Sequence, residues 1–208
     1  MKKRIHPFWL GLSLLLCAAA LGLCVFAGSG GSLALRPEGD PQDTIQSFFT
    51  ELFAGDYSAA YARLADYSSL GLEHEPGGDS SRTLYRALRE SYAFSLVGDC
   101  DVHKLSASQR VRLRYLDLKA VEAEIAAQVE GIAEELVDTH SAAEIYDDEG
   151  GYLVSFTDEV YSAALNRVLR SASGYCVETE LELRLSYLDG AWRLHSSPAL
   201  FSALLGGI

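Results

Sequence analysis

Five side chains are of the types that move protons: Tyr61, Asp66, Tyr85, His103 and His195. Acid–base chemistry needs two such groups within hydrogen-bond reach of one substrate, in a site that excludes water. Nothing in their spacing shows that convergence. The plainer reading makes the tyrosines core-edge residues of amphipathic helices and puts the two histidines on sheet surface. The five therefore stand as pocket candidates, and no residue is assigned a catalytic role.

Metal ligation has less to build on. His74, His103, His140 and His195 are isolated, and no C-x-x-C, H-x-x-x-H or H-E-x-x-H spacing occurs. The acidic run YDDEGG at 146–151 lacks the alternating ligand spacing of a calcium loop and reads as a solvated loop. There is no G-x-S-x-G and no phosphate-binding glycine loop, and GGDSS at 77–81 reads as a loop with a helix cap. The sequence thus points to no cofactor, no metal and no catalytic group.

Charge narrows the partners. Three of the 17 basic residues, Lys2, Lys3 and Arg4, precede residue 5, so the rest of the chain holds 14 against 29 acids, a net charge of −15. A surface this negative repels phosphate backbones, which excludes nucleic acid as the expected partner.

The same three cations precede an uncharged, proline-free run from Phe8 to Ala27. A helix of that length spans about 30 Å, the thickness of a bilayer's hydrocarbon core. The positive flank places the N-terminus in the cytoplasm and the chain after Gly28 outside. Three readings remain for LGLCVFAGSGG at 21–31. Lipidation would want a small residue before its cysteine, and Cys17 and Cys24 both follow leucine. Cleavage after Val25-Phe26-Ala27 would suit a shorter apolar run. An uncleaved anchor fits the run's length, and residues 1–27 are read as cytoplasmic stub and transmembrane anchor. All three readings put the domain outside the cytoplasm. Residues 28–39, rich in Gly and Ser, form a flexible linker.

The domain at 40–208 reads as α+β. Asp40 and Pro41 open a helix bearing Ile45, Phe48, Phe49 and Leu52 on one face, and Gly55 closes it. Asp56 caps a second helix, with Tyr57, Ala60, Tyr61 and Leu64. A third starts at Asp79 or Ser80 and carries Leu84, Leu88 and Tyr92. Period-two alternation then marks strands in FSLVGDCDV at 94–102 and RVRLRY at 110–115. Asp117 caps a helix over 118–137, with Val121, Ile125, Val129, Ile132 and Leu136 in its stripe. After a polar loop, Thr157 starts a second inserted helix bearing Val160, Tyr161, Ala164, Leu165 and Val168, and Gly174 closes it. YCVETELELRLSYL at 175–188 alternates throughout. Asp189-Gly190 turns the chain into AWRLHS, and Ser197-Pro198 opens a short final helix. The whole is a set of helices packed on a curved antiparallel sheet of about four strands, with a two-helix insertion at 118–171 between strands 2 and 3. If strands 2 and 3 are neighbours, Arg110, Arg112 and Arg114 face Glu178, Glu180 and Glu182. Parity puts Cys100 inward and Cys176 outward, which argues against a disulfide between them.

This order resembles the nuclear transport factor 2-like, or cystatin-like cone, superfamily. The resemblance rests on FFTELFAGDYSAAYARL at the start and YLDGAWRLHSSPAL at the end. The chain also resembles membrane-tethered extracytoplasmic proteins of Gram-positive bacteria in SYAFSLVGD, in YLD before a helix and in the C-terminal ALLGGI. The superfamily includes isomerases and dehydratases that use a pocket Asp, His and Tyr, but no common motif places those roles on this chain. The tether, the cone-like layout and the missing catalytic constellation together lead to the expectation of a membrane-anchored extracytoplasmic module for binding or assembly, non-catalytic, with a possible protein partner at the cell surface. Its alternative is a small-ligand sensor, or a small enzyme acting on a hydrophobic metabolite in the cone, the ligand unnamed. A cone filled by Phe, Leu and Tyr would favour the first; an enclosed pocket with a deep polar group would favour the second.

Overall fold

The computed structural model describes residues 37–66, 69 and 71–208, and residues 37–208 fall in one compact unit. The expected anchor at 8–27 and the linker up to residue 36 lie outside the described residues. Among the described residues no helix is long and apolar enough to cross a membrane.

Three helices lead: α1 (Pro41–Ala54), α2 (Tyr57–Tyr61) and α3 (Asp79–Ser91). Asp40 caps α1 by accepting from the Gln42 N–H at 2.8 Å, and Gly55 closes it at φ 84°, a left-handed conformation that suits glycine. Four antiparallel strands follow in the order β1 (Ala93–His103), β2 (Ser106–Leu116), β3 (Cys176–Leu188), β4 (Ala191–Leu194). Between β2 and β3 lie α4 (Leu118–Val137), α5 (Ala142–Ile145), α6 (Val154–Leu169) and a 3₁₀ turn at Ala172–Tyr175. Helix α7 (Pro198–Leu204) ends the fold. The class is α+β, with an open antiparallel sheet and the insertion in the expected place.

Two cores hold these layers. On the inner sheet face Val111, Leu113, Leu183, Leu185 and Leu194 meet Ile45, Phe48 and Phe49 of α1 and Leu200 and Leu204 of α7, all fully buried. The second core joins α4, α6 and α3 through Ile125, Ile132, Phe156, Val160, Leu165 and Leu88. It includes Leu116, which shares strand parity with Arg112 and Arg114, so the insertion packs at the end of the opposite sheet face. The inserted helices therefore bury their stripes against each other and α3. Among the described residues Cys100 and Cys176 are free and fall in different cores, Cys100 against the first and Cys176 against the second.

Several boundaries differ from the sequence reading. The second helix stops at Tyr61, because Leu64 leaves it to form a parallel bridge with Leu194; the Ala65 N–H donates to the Leu194 carbonyl at 2.8 Å. Helix α6 starts at Val154 rather than Thr157. The Thr157 N–H donates to the Leu153 carbonyl at 3.0 Å, so Thr157 belongs to the first turn and is not the cap. Its end is Leu169, and Gly174 sits in the 3₁₀ turn beyond. The polar loop after α4 folds α5 on a capping box between Ser141 and Glu144. Strand β1 carries an irregularity between Val97 and Asp101. The Gln109 side chain, 1% exposed, closes it. Its amide donates to the carbonyls of Val97 (3.0 Å), Gly98 (3.3 Å) and Arg110 (2.9 Å), and its oxygen accepts from Gln42 at 2.8 Å, tying α1 to the sheet.

Candidate functional site

The five pocket candidates do not meet. Tyr61 and Tyr85 belong to a cluster between α1, α2 and α3. His103 and His195 line a shallow groove of about 340 Å³ over the open ends of β1 to β3. There His103 Nε2 lies 3.2 Å from Asp101 Oδ1, and His195 Nε2 lies 2.8 Å from Ser186 Oγ, all exposed to solvent. Asp66 accepts a hydrogen bond from Ser196 on the exposed margin of β4. A water-excluded group of Asp, His and Tyr is thus not assembled from these residues.

The tyrosine cluster is the more built of the two places. Gly55 and Asp56 turn the chain so that α2 begins at Tyr57, and Tyr85 and Arg89 stand one turn apart on α3. Tyr85 donates to the Leu72 carbonyl, which uses its one hydroxyl proton. Tyr57 Oη, 2.8 Å away, must then donate to Tyr85. Burial, followed by that hydrogen bond, pushes the Tyr57 phenol well above its ordinary pKa, so it stays protonated. Tyr61 donates to Glu73 Oε2 at 2.8 Å, and Ser69 donates to Glu73 Oε1. The Ser69 bond is the first of the contacts that hold the Glu73 carboxyl below its ordinary range. The Arg89 guanidinium lies 5.7 Å from the Tyr57 ring centre and 5.8 Å from that of Tyr85. These groups surround a depression of about 490 Å³, floored by Phe53 and rimmed by Glu75, Arg86 and Glu90.

A second feature was not singled out from the sequence. At the tip of the insertion Tyr146 and Tyr152 form an antiparallel bridge and stack with ring centres 5.4 Å apart, and Tyr152 tilts onto Phe156 at 5.5 Å. Asp147 braces the tip, accepting from the Gly151 N–H at 2.8 Å and the Glu149 N–H at 3.0 Å. Tyr152 remains 56% exposed and Val154 75%. The acidic loop is therefore the frame of an exposed aromatic knuckle. Its signal in the sequence is the pair of tyrosines on either side of DDEGG. Among the described residues no group of three or more His, Cys, Asp or Glu could hold a metal ion.

In comparisons with known proteins no family model, no curated protein and no solved structure matches the chain.

Proposed function

We propose that this chain is a non-catalytic binding or assembly module, held at the outer surface of a membrane by residues 8–27 and built on a cone-like layout. The observation that carries the reading is the filled inner face of the sheet. Phe48, Phe49, Leu113, Leu183, Leu185, Leu200 and Leu204 occupy, fully buried, the volume in which a cone enzyme would hold its substrate. The polar depressions lie around this core instead of inside it. The aromatic knuckle supports the assembly role, because rigid exposed aromatics are the side chains that protein interfaces favour. Asp148 and Glu149 beside it favour a partner with basic side chains.

The alternative, a small-ligand sensor, draws on the depression around Tyr57 and Arg89. The further alternative, a small enzyme acting on a hydrophobic metabolite in the cone, is disfavoured by the side chains that pack the inner face.

Topology is tested with cells stripped of their wall. Protease added outside should remove the domain from residue 40 onward while cytosolic proteins stay intact. Full protection of the domain overturns the orientation. A soluble form beginning near Gly28 would replace the anchor with a cleaved signal.

A further inference from the structure

Five of the eleven described arginines stand within ion-pair distance of an acid. Arg63 meets Glu51 at 2.5 Å, Arg112 meets Glu180 at 2.7 Å and Arg167 meets Glu135 at 2.6 Å. Arg89 is among the six that do not, and it differs in its surroundings. Half-buried, it is held by two ring faces, and among the described residues no carboxylate lies within ion-pair distance of it. Its guanidinium also backs onto Gly55, where an added Cβ would lie 2.7 Å from Nη2. The guanidinium thus packs against two rings and the Gly55 backbone, with donors left over. Arg86, one turn earlier on α3, lines the same depression and is likewise without an acid partner among the described residues.

The same depression carries the opposite charge as well. Glu73, kept ionised by Ser69 and Tyr61, and Glu75 both line the depression. Two guanidiniums and two carboxylates therefore face one space without pairing across it. Tyr57 adds an acceptor to the acidic set, because its proton is committed to Tyr85 and its oxygen lone pairs are not. Glu90 brings the carboxylates to three, so a plain anion meets net repulsion; the cation over the two rings disfavours a plain cation. Only a ligand bearing both charges satisfies both sets of side chains.

We propose that this depression binds a small zwitterion, a free amino acid or a dipeptide. Its carboxylate docks on Arg89 and Arg86, and its ammonium on Glu73, Glu75 and the Tyr57 oxygen. A planar guanidinium fork matches a carboxylate with two parallel hydrogen bonds. The volume of about 490 Å³ lies within the range of small-ligand pockets. The Phe53 floor, stacked on Tyr92 at 5.0 Å, offers an apolar surface for the ligand's side chain. The inference goes beyond the assembly reading and does not depend on it.

The test uses the full chain purified in a mild detergent. Free L-amino acids and simple dipeptides at millimolar concentration serve as probes, read by calorimetry and by thermal shift. At least one should bind and raise the melting temperature. For each that binds, the analogue lacking the carboxylate and the analogue lacking the ammonium should bind at least about tenfold more weakly, the loss expected for one charged contact. Arg89→Gln should weaken binding by a similar factor, and Glu75→Gln, on the exposed rim, by a few-fold. Circular dichroism reports whether each variant is folded; if Arg89→Gln is not, Glu75→Gln and the analogues carry the test. The proposal is overturned if no probe binds, if either one-headed analogue binds as well as its parent, or if folded variants bind as the wild type does. Failure here leaves the protease result on topology untouched, and failure there leaves this result untouched.

Discussion

At the residue scale, buried polar groups that act as braces explain more than the ionisable ones do. Gln109 is an amide in an apolar core, yet each of its polar atoms is spoken for. Burying such a group without partners would cost about 1–3 kcal/mol, so its bonds to Val97 and Gly98 are what make the irregular strand tolerable. His140 makes a pH-dependent contact. Its Nδ1 donates to the Leu136 carbonyl at 2.9 Å near the end of α4, and Nε2 faces Glu159 at 3.2 Å, with Glu144 nearby and the Phe156 ring at its edge. The backbone contact first, then the two carboxylates, raise its pKa above the ordinary imidazole value of 6.5. The folded state therefore holds this proton more tightly than the unfolded chain. The stability it adds is complete below pH 6.5 and is lost as pH rises through the folded pKa. His140→Gln should flatten that part of a plot of urea midpoint against pH. An unchanged slope would remove His140 from the account.

At the scale of elements, β2 and β3 pair as the alternation of charge implies. Arg110 stands opposite Glu182, Arg112 opposite Glu180 and Arg114 opposite Glu178. One rung closes as a direct ion pair, Arg112 to Glu180 at 2.7 Å, while Glu182 lies 3.6 Å from Arg184 of its own strand. Such exposed pairs are worth only about 0.2–1 kcal/mol each, less in high salt. Arg112→Glu should lower stability slightly, because it loses a pair and gains a repulsion. Adding Glu180→Arg should recover part of the loss in chemical denaturation at low salt. No recovery would mean the two side chains act independently. The larger consequence is that six charges on one sheet face oppose its burial against an apolar partner.

At the scale of the whole molecule, two cores share one chain, and α3 touches both: Tyr85 packs on the first and Leu88 sits in the second. The insertion is thus a buttress under one end of the sheet. Ile132→Asp would place a carboxylate at a site 1% exposed. Lost packing together with an unpaired buried charge should cost about 4 kcal/mol, a fall in melting temperature of about 10 °C for a domain of this size. A near-unchanged melting temperature together with an altered association state would show instead that this face is a contact between chains.

Much of this architecture was legible in the sequence because its signals are short-ranged. Asp40, Asp117 and Ser197 cap the helices that follow them because a cap needs only the next few N–H groups. Asp189 and Gly190 make their hairpin because their own backbone takes positive φ, 51° and 81°. Alternation set which side chains of β2 and β3 face inward, and with it the facing of arginine and glutamate. Tertiary structure alone decided what depends on distant partners. Leu64 leaves its helix because Leu194 offers a rung. Gln109 can be buried because β1 leaves carbonyls for it to satisfy. Tyr57, Glu73, Tyr85 and Arg89 have ordinary spacings in the chain and become one site only where the turn at Gly55 and the loop before α3 bring them round a common space. Periodicity records which face of an element is apolar; it does not record which side chain from another element that face will meet, and the candidate site is made of such meetings.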